Sequence, residues 1–303
     1  MKKIAIFGGT GFVGSYIINE LLKTGYFVKM INRAHSDNNH ESIEELIVDL
    51  KSDFLYKELE DCDCVIYNIG IIREYPKSKI FFKDLHEDLA IHIMKMSEKA
   101  KVRKFILMSA NGVERCSTNY EVTKFKAEQY LMNTKLDWTI FRPSLIFGDP
   151  KGKMEFCTQV KNDMINTILP LPIFFKGINI FNAGKFTMSP IHAKNVAEFF
   201  ILAIDRINLK YKICNLGGSQ NYNWKELLKI ISSACNKKKI SIPVPIFIVK
   251  LIALVLQRFS WFPVTKDQLT MLSAGNTCDS ANYFSEYDIK EIKFNIKNLN
   301  YLL

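Results

Sequence analysis

Along residues 1–150, short apolar runs alternate with stretches whose apolar positions recur every three or four residues. Ile4-Ala5-Ile6-Phe7 has the length of a buried strand, and an amphipathic segment over 15–23 follows it. Further strand-like runs come at 26–33, 43–48, 64–70, 104–109 and 136–142, the last stopped by Pro143. Between them 53–59 is predicted helical. The stretch 81–101 carries Phe82, Leu85, Leu89, Ile93 and Met96 at helical steps, and 118–132 is a helix with Ser117 or Thr118 as its N-cap. Strand and helix in alternation predict an α/β fold, a doubly wound parallel sheet with helices on both faces. The rhythm changes after Gly148-Asp149-Pro150, where Pro170, Pro172, Pro190, Pro243, Pro245 and Pro263 punctuate shorter pieces and 211–216 is a short strand candidate. The pattern therefore predicts a first domain over 1–150, with segments at roughly 186–216 returning to it, and a smaller lobe over 151–303.

One run in the second half is nearly all apolar, residues 246–259, with Lys250 inside it. It is shorter than the ~20 residues a bilayer span needs. A buried helix of the second lobe is the expected reading. A helix docking on a membrane or a partner is the alternative, which Trp261 and Phe262 keep open.

A chain of 303 residues that is 48% hydrophobic and 24% charged can bury a full core. Its net charge of +10 raises the question of nucleic acid or an anionic surface. The lysines are spread rather than blocked, and Ile and Asn are also abundant, which points to a general compositional bias and away from a nucleic-acid groove. Cys62, Cys64, Cys116, Cys157, Cys214, Cys235 and Cys278 are scattered, without zinc or redox spacing, and read as reduced buried thiols of a cytoplasmic protein with no metal site. The first strand begins at residue 2, so no signal peptide is expected ahead of it.

The first turn carries the clearest chemistry. Gly8, Gly11 and Gly14 stand at G-x-x-G-x-x-G spacing directly after a strand and before a helix, in the turn Gly8-Gly9-Thr10-Gly11-Phe12-Val13-Gly14. This suits a dinucleotide: a tight turn, close approach of backbone to the pyrophosphate, and a helix N-terminus facing it. The second strand ends on Asn32-Arg33 with no acid for a ribose 2′-hydroxyl, so the sequence leans to NADP over NAD, Arg33 meeting the 2′-phosphate; a solvated Arg33 is the alternative. Asp49 is placed to reach the adenine, and Asn68 and Gly70, at the carboxyl end of the fourth strand, become cofactor candidates. Tyr120 and Lys124 share a helix face, which lets an ammonium lower the pKa of a phenol for general acid–base work; Ser109, ending the preceding strand, could bond a substrate oxygen. Tyr75 and Lys79 repeat the spacing by accident in a loop, and His86 is read as a packed or polar-face histidine.

Together with Arg142-Pro-Ser-Leu-Ile-Phe-Gly148, these motifs resemble the extended short-chain dehydrogenase/reductases, which have a Rossmann fold. Residues 188–197 and Asn215-Leu-Gly-Gly218 are similar to the atypical branch that contains the dinucleotide-binding accessory subunit of respiratory complex I and its bacterial relatives. The likeness covers about residues 1–240. It implies that Gly8, Thr10, Gly11, Phe12, Val13 and Gly14 form the pyrophosphate loop, with Arg33 on the 2′-phosphate, Asp49 and Leu50 at the adenine, and Asn68 and Gly70 under the ribose. Tyr120 would be the acid/base, Lys124 a ribose contact that also tunes it, and Pro143 and Ser144 neighbours of the nicotinamide. Ala110 after Ser109, Asn195 where relatives often carry Asp, and His86 near a position that often holds Asn depart from catalytic members. Two functions are implied. One is an NADPH-dependent oxidoreductase or epimerase-like enzyme on an unknown small carbonyl or alcohol. The other is a non-catalytic NADPH-binding subunit or assembly factor of complex I, peripheral at the inner membrane through 246–262.

Overall fold

The computed structural model describes residues 1–303 except 37–39, 258, 260–261 and 279. It divides into two compact units, residues 1–143 with 193–215, and residues 144–192 with 216–303.

The first unit is built on a sheet of β1 (Lys3–Phe7), β2 (Phe27–Asn32), β3 (Ile43–Ile47), β4 (Cys64–Tyr67), β5 (Lys104–Met108), β6 (Asp137–Pro143) and the strand Lys212–Leu216. Their order across the sheet is β3-β2-β1-β4-β5-β6 and then Lys212–Leu216, with every pair from β3 to β6 parallel. A parallel sheet is covered on both faces, which is why its central strands are continuous apolar runs; Ile4, Ala5, Ile6 and Phe7 are fully buried. Ala5, Phe7, Val65, Tyr67, Phe105 and Leu107 pack with Leu89, Ala90, Ile93 and Met94 of helix α2 (Leu89–Lys99) in one core. Helix α1 (Phe12–Lys23) packs on the helix Ala193–Asp205. The returning segment is tied to β6, where Thr139 Oγ1 donates to the Leu209 carbonyl at 2.7 Å and the Tyr211 N–H to the Trp138 carbonyl at 2.7 Å. The expected order reverses at β1, so the carboxyl ends of β1 and β4 flank the crevice where a doubly wound sheet takes its ligand.

Three predicted elements differ. Residues 53–59 make only a 3₁₀ turn, Leu55–Glu58, and the fourth strand ends at Tyr67, short of Gly70. The long helix predicted over 81–101 opens as a π-helical turn, Lys83–Asp88, before α2, and His86 lies in that turn.

The second unit has short strand pairs, Ile146–Phe147 with Ile191–His192 and Leu171–Phe175 with Ser241–Pro245. Its core gathers around Trp224, whose indole N–H donates to the Pro172 carbonyl at 2.9 Å. The helix Trp224–Ala234 starts on a capping box between Asn223 and Glu226. The helix Ile246–Leu256 corrects the expectation of a buried helix, since only Ile246 and Ala253 of it are buried. Trp261 lies outside the described residues. No described helix is long and apolar enough to cross a membrane.

Candidate cofactor-binding and active site

The glycine turn is shaped by two close approaches. Gly8 sits at φ +86°, and a Cβ there would lie 2.8 Å from the Asn68 carbonyl carbon; a Cβ on Gly14 would lie 2.1 Å from the Gly8 carbonyl oxygen. Only glycine fits either place. The Gly11 N–H donates to the Gly8 carbonyl at 3.2 Å and closes the turn through Thr10, and α1 starts at Phe12 with no side-chain cap and no acid in its first turn. The first-turn amides of Phe12, Val13 and Gly14 therefore lack partners within the helix, the arrangement that suits an anionic group. Asn68 secures the neighbouring strand end, its N–H donating to the Phe7 carbonyl at 2.9 Å and its Nδ2 to the Gly8 carbonyl at 3.3 Å.

At the carboxyl ends of β2 and β3 lies a cavity of about 530 Å³, and it brings together Arg33, Asp49 and Leu50 with Lys51, Lys79 and Leu85. The cavity has the volume of a small-ligand site. Arg33, Asp49 and Leu50 are residues the sequence singles out; the cations from 51 and 79 are not. Nor was Glu45 anticipated. From β3 it accepts bonds from Asn32 Nδ2 at 2.8 Å and from Ser36 N and Oγ at 2.9 and 2.7 Å, which hold its carboxyl below the ordinary range and hold the start of the loop after β2.

Helix α3 (Asn119–Met132) is capped by Thr118, whose hydroxyl accepts from the Glu121 N–H at 3.2 Å, while the Ser117 N–H donates to Glu121 at 2.8 Å. This start puts Tyr120 in the first turn and Lys124 one turn on. Lys124 Nζ donates to the Met108 carbonyl at 3.1 Å and stands 5.7 Å from the Tyr120 ring centre. Ser109 is buried, and its Oγ has no hydrogen-bond partner among the described residues, although its N–H is satisfied by the Phe141 carbonyl at 2.8 Å. Ser109, Lys124 and His86 line one closed crevice with Tyr67 and Met108, too tight to hold a water molecule. A side chain on Gly70 would come within 3.6 Å of both Lys124 Nζ and His86 Nε2, so the backbone of Gly70 closes on the same spot.

His86 is buried, as the reading of a packed histidine has it, and its ring stacks on Phe82. The Ile71 N–H donates to His86 Nε2 at 3.1 Å, so that nitrogen carries no proton. Nδ1–H then faces Thr123 Oγ1 at 3.4 Å, whose own hydrogen goes to the Asn119 carbonyl at 2.9 Å. Burial, with the Lys124 charge beside it, pushes the imidazole down to about 2, so it is neutral. Burial likewise lowers Lys124 to about 8, with Glu128 partly opposing. Tyr120 goes the other way from expectation: burial, and then Glu121, raise its phenol. The phenol ring is packed edge-on to Phe82 and His86 at 5.5 and 5.2 Å, and the Lys124 ammonium points at a carbonyl instead of the phenol. Tyr120 is therefore held as the protonated acid.

Arg142 of β6 binds the fully buried Glu128 of α3, Nε to Oε1 at 2.9 Å, and reaches Glu114 at 3.0 Å. That pair fixes α3 against the sheet. Pro143 ends β6, its carbonyl accepting from Asn111 N at 2.9 Å. Ser144 opens the second unit, where its N–H donates to the Leu216 carbonyl at 2.7 Å and its Oγ bonds the Asn276 carbonyl. Asn195 is buried and donates to Glu198 at 2.8 Å, a bond inside its own helix. Cys116 is exposed, which corrects the expectation of buried thiols throughout.

The family model described as NAD(P)H-binding matches residues 8–167, from the glycine turn through α3 and past β6. The chain belongs to the NAD(P)H-binding family. Within it the chain is of the extended short-chain dehydrogenase/reductase type, similar to NAD-dependent epimerases. It is 25% identical to the mitochondrial NADH-ubiquinone oxidoreductase 40 kDa subunit of Neurospora crassa, over 86% of this chain and 67% of that one. It is 23% identical to the decarboxylating sterol-4-alpha-carboxylate 3-dehydrogenase of Dictyostelium discoideum, over 99% and 98%. The fold is that of the Thermus thermophilus UDP-glucose 4-epimerase solved with NAD, at a TM-score of 0.72 and 15% identity over 99% of this chain and 97% of that one. The relatives of this NAD(P)H-binding chain thus include both enzymes and a respiratory-complex subunit.

Proposed function

We propose that the chain is an NADPH-linked oxidoreductase or epimerase-like enzyme acting on a small carbonyl or alcohol. The observation that carries this reading is the buried Ser109 Oγ, without a hydrogen-bond partner among the described residues, in one closed crevice with the buried Lys124 ammonium. An orphaned buried hydroxyl costs about 1–3 kcal/mol, which a substrate oxygen bonded to it would recover. Gly8, Thr10, Gly11, Phe12, Val13 and Gly14 would hold the pyrophosphate, Asp49 and Leu50 the adenine, Arg33 a 2′-phosphate, Asn68, Gly70 and Lys124 the riboses, and Pro143 and Ser144 the nicotinamide. The bound dinucleotide supplies or accepts hydride. Ser109 would orient the substrate oxygen, and Tyr120 would give that oxygen its proton when a carbonyl receives hydride and take it when an alcohol loses hydride. The Lys124 ammonium, one helical turn on, would stabilise the phenolate only on turning away from the Met108 carbonyl. Neutral His86 adds no charge that would repel the ammonium.

The test is titration of NADPH against NADH, followed by a search for a carbonyl that oxidises the bound cofactor. Tight NADPH binding with turnover that Tyr120→Phe abolishes is the expected result. Binding with no turnover over a broad carbonyl panel overturns the enzyme reading and leaves the second one. In that second reading the chain is a cytoplasmic NADPH-holding subunit or assembly factor of respiratory complex I, peripheral at the inner membrane. The raised Tyr120 phenol and the outward apolar helix Ile246–Leu256 favour it.

A further inference from the structure

The helix Ile246–Leu256 leaves Phe247, Ile248, Leu251, Ile252, Leu254 and Val255 between 42% and 59% exposed. At about 100° per residue these positions fall within one arc of roughly 160°. With half of each side chain open, the patch amounts to on the order of 500 Å², at the upper end of what a lone soluble chain shows. Ala253, on the opposite side, is fully buried and anchors the helix to its own core. The exposed arc is a built face, held by packing against the helix Lys266–Ala274.

We propose that this face lies flat on an anionic lipid surface. Three observations select lipid over protein. The arc contains no hydrogen-bonding side chain, whereas protein interfaces carry about one hydrogen bond per 100–200 Å². Lys250 stands at the edge of the arc, and Lys176 and Lys266 are near enough to act on its charge. Long cationic side chains at the margin of an apolar helix face reach lipid headgroups while the face enters the acyl boundary. A second copy of this chain would bring those lysines against their own like charges, while anionic headgroups would neutralise them. The helix spans about 16 Å at 1.5 Å per residue, too short to cross a ~30 Å core, so it lies in the interface plane.

The proposal deepens the peripheral placement in the second reading above, yet it is tested without reference to complex I or to turnover. The purified full chain is floated with vesicles of phosphatidylcholine, and with vesicles that also contain phosphatidylglycerol. Binding to the anionic vesicles, weakened by salt, is expected, and the Phe247→Glu, Leu251→Glu double variant is expected to lose it by more than about tenfold. NADPH titration on the same samples shows that the variant is folded and keeps cofactor chemistry apart from lipid binding. Wild type that ignores anionic vesicles, equal binding by the variant, or a wild-type dimer that the variant disperses would overturn the proposal.

Discussion

Replacing Lys124 with methionine isolates what the site costs the fold. Burial lowers the ammonium from 10.5 to about 8, and at about 1.4 kcal/mol per unit this is roughly 3 kcal/mol against the charged form. The methionine leaves the Met108 carbonyl without its 3.1 Å bond, a loss of about 1 kcal/mol. The balance predicts that Lys124→Met stabilises the ligand-free chain by about 2 kcal/mol at pH 7 while abolishing turnover. The pH dependence sharpens it. A lysine whose folded pKa is depressed keeps its penalty below about 8, and the penalty is relieved as pH rises towards 10.5, because there the unfolded chain binds more protons. The advantage of the variant should therefore shrink between those values and give way above them to a deficit of about 1 kcal/mol, the lost bond to the Met108 carbonyl. Urea unfolding of both proteins across that window measures it. A variant less stable than wild type at pH 7, or a difference flat with pH, would refute the account.

His86, neutral in the fold down to about 2, makes stability fall by about 1.4 kcal/mol per unit as pH drops below 6.5, since only the unfolded chain takes up the proton; urea titrations of His86→Gln should lack this slope. Glu128→Gln breaks the buried bond to Arg142 and should cost about 3–5 kcal/mol in denaturant unfolding. Gly14→Ala, with a Cβ 2.1 Å from the Gly8 carbonyl oxygen, should abolish fluorescence-detected NADPH binding. Tyr120→Phe, the test of turnover, should leave that binding intact.

Much of the site was legible because its determinants are local. The glycine spacing, the step from Tyr120 to Lys124 and the place of Ser109 are all set by neighbours along the chain; Tyr120 and Lys124 lie on the expected helix, and Ser109 follows directly after β5. What escaped depends on contacts between distant segments. Glu45 reaches Asn32 across a β-pair, and His86 meets Thr123 and Ile71 only after α3 has folded onto the sheet. The direction of the Tyr120 shift was misjudged for the same reason. Helical spacing brings an ammonium near a phenol, but which acceptor the ammonium points at is decided by a carbonyl sixteen residues away.

The apolar helix shows the same division. Its composition announced a segment that needs an apolar neighbour, and a run of apolar residues says nothing about which side is covered. Only packing could show Ala253 inward and Leu251 outward. The alternation of strands and helices and the glycine turn were determined by the sequence alone, because period and backbone freedom are properties of short stretches. Burial, and with it the protonation of Lys124, His86 and Tyr120, was decided by the tertiary structure, because solvation depends on everything that packs around a group.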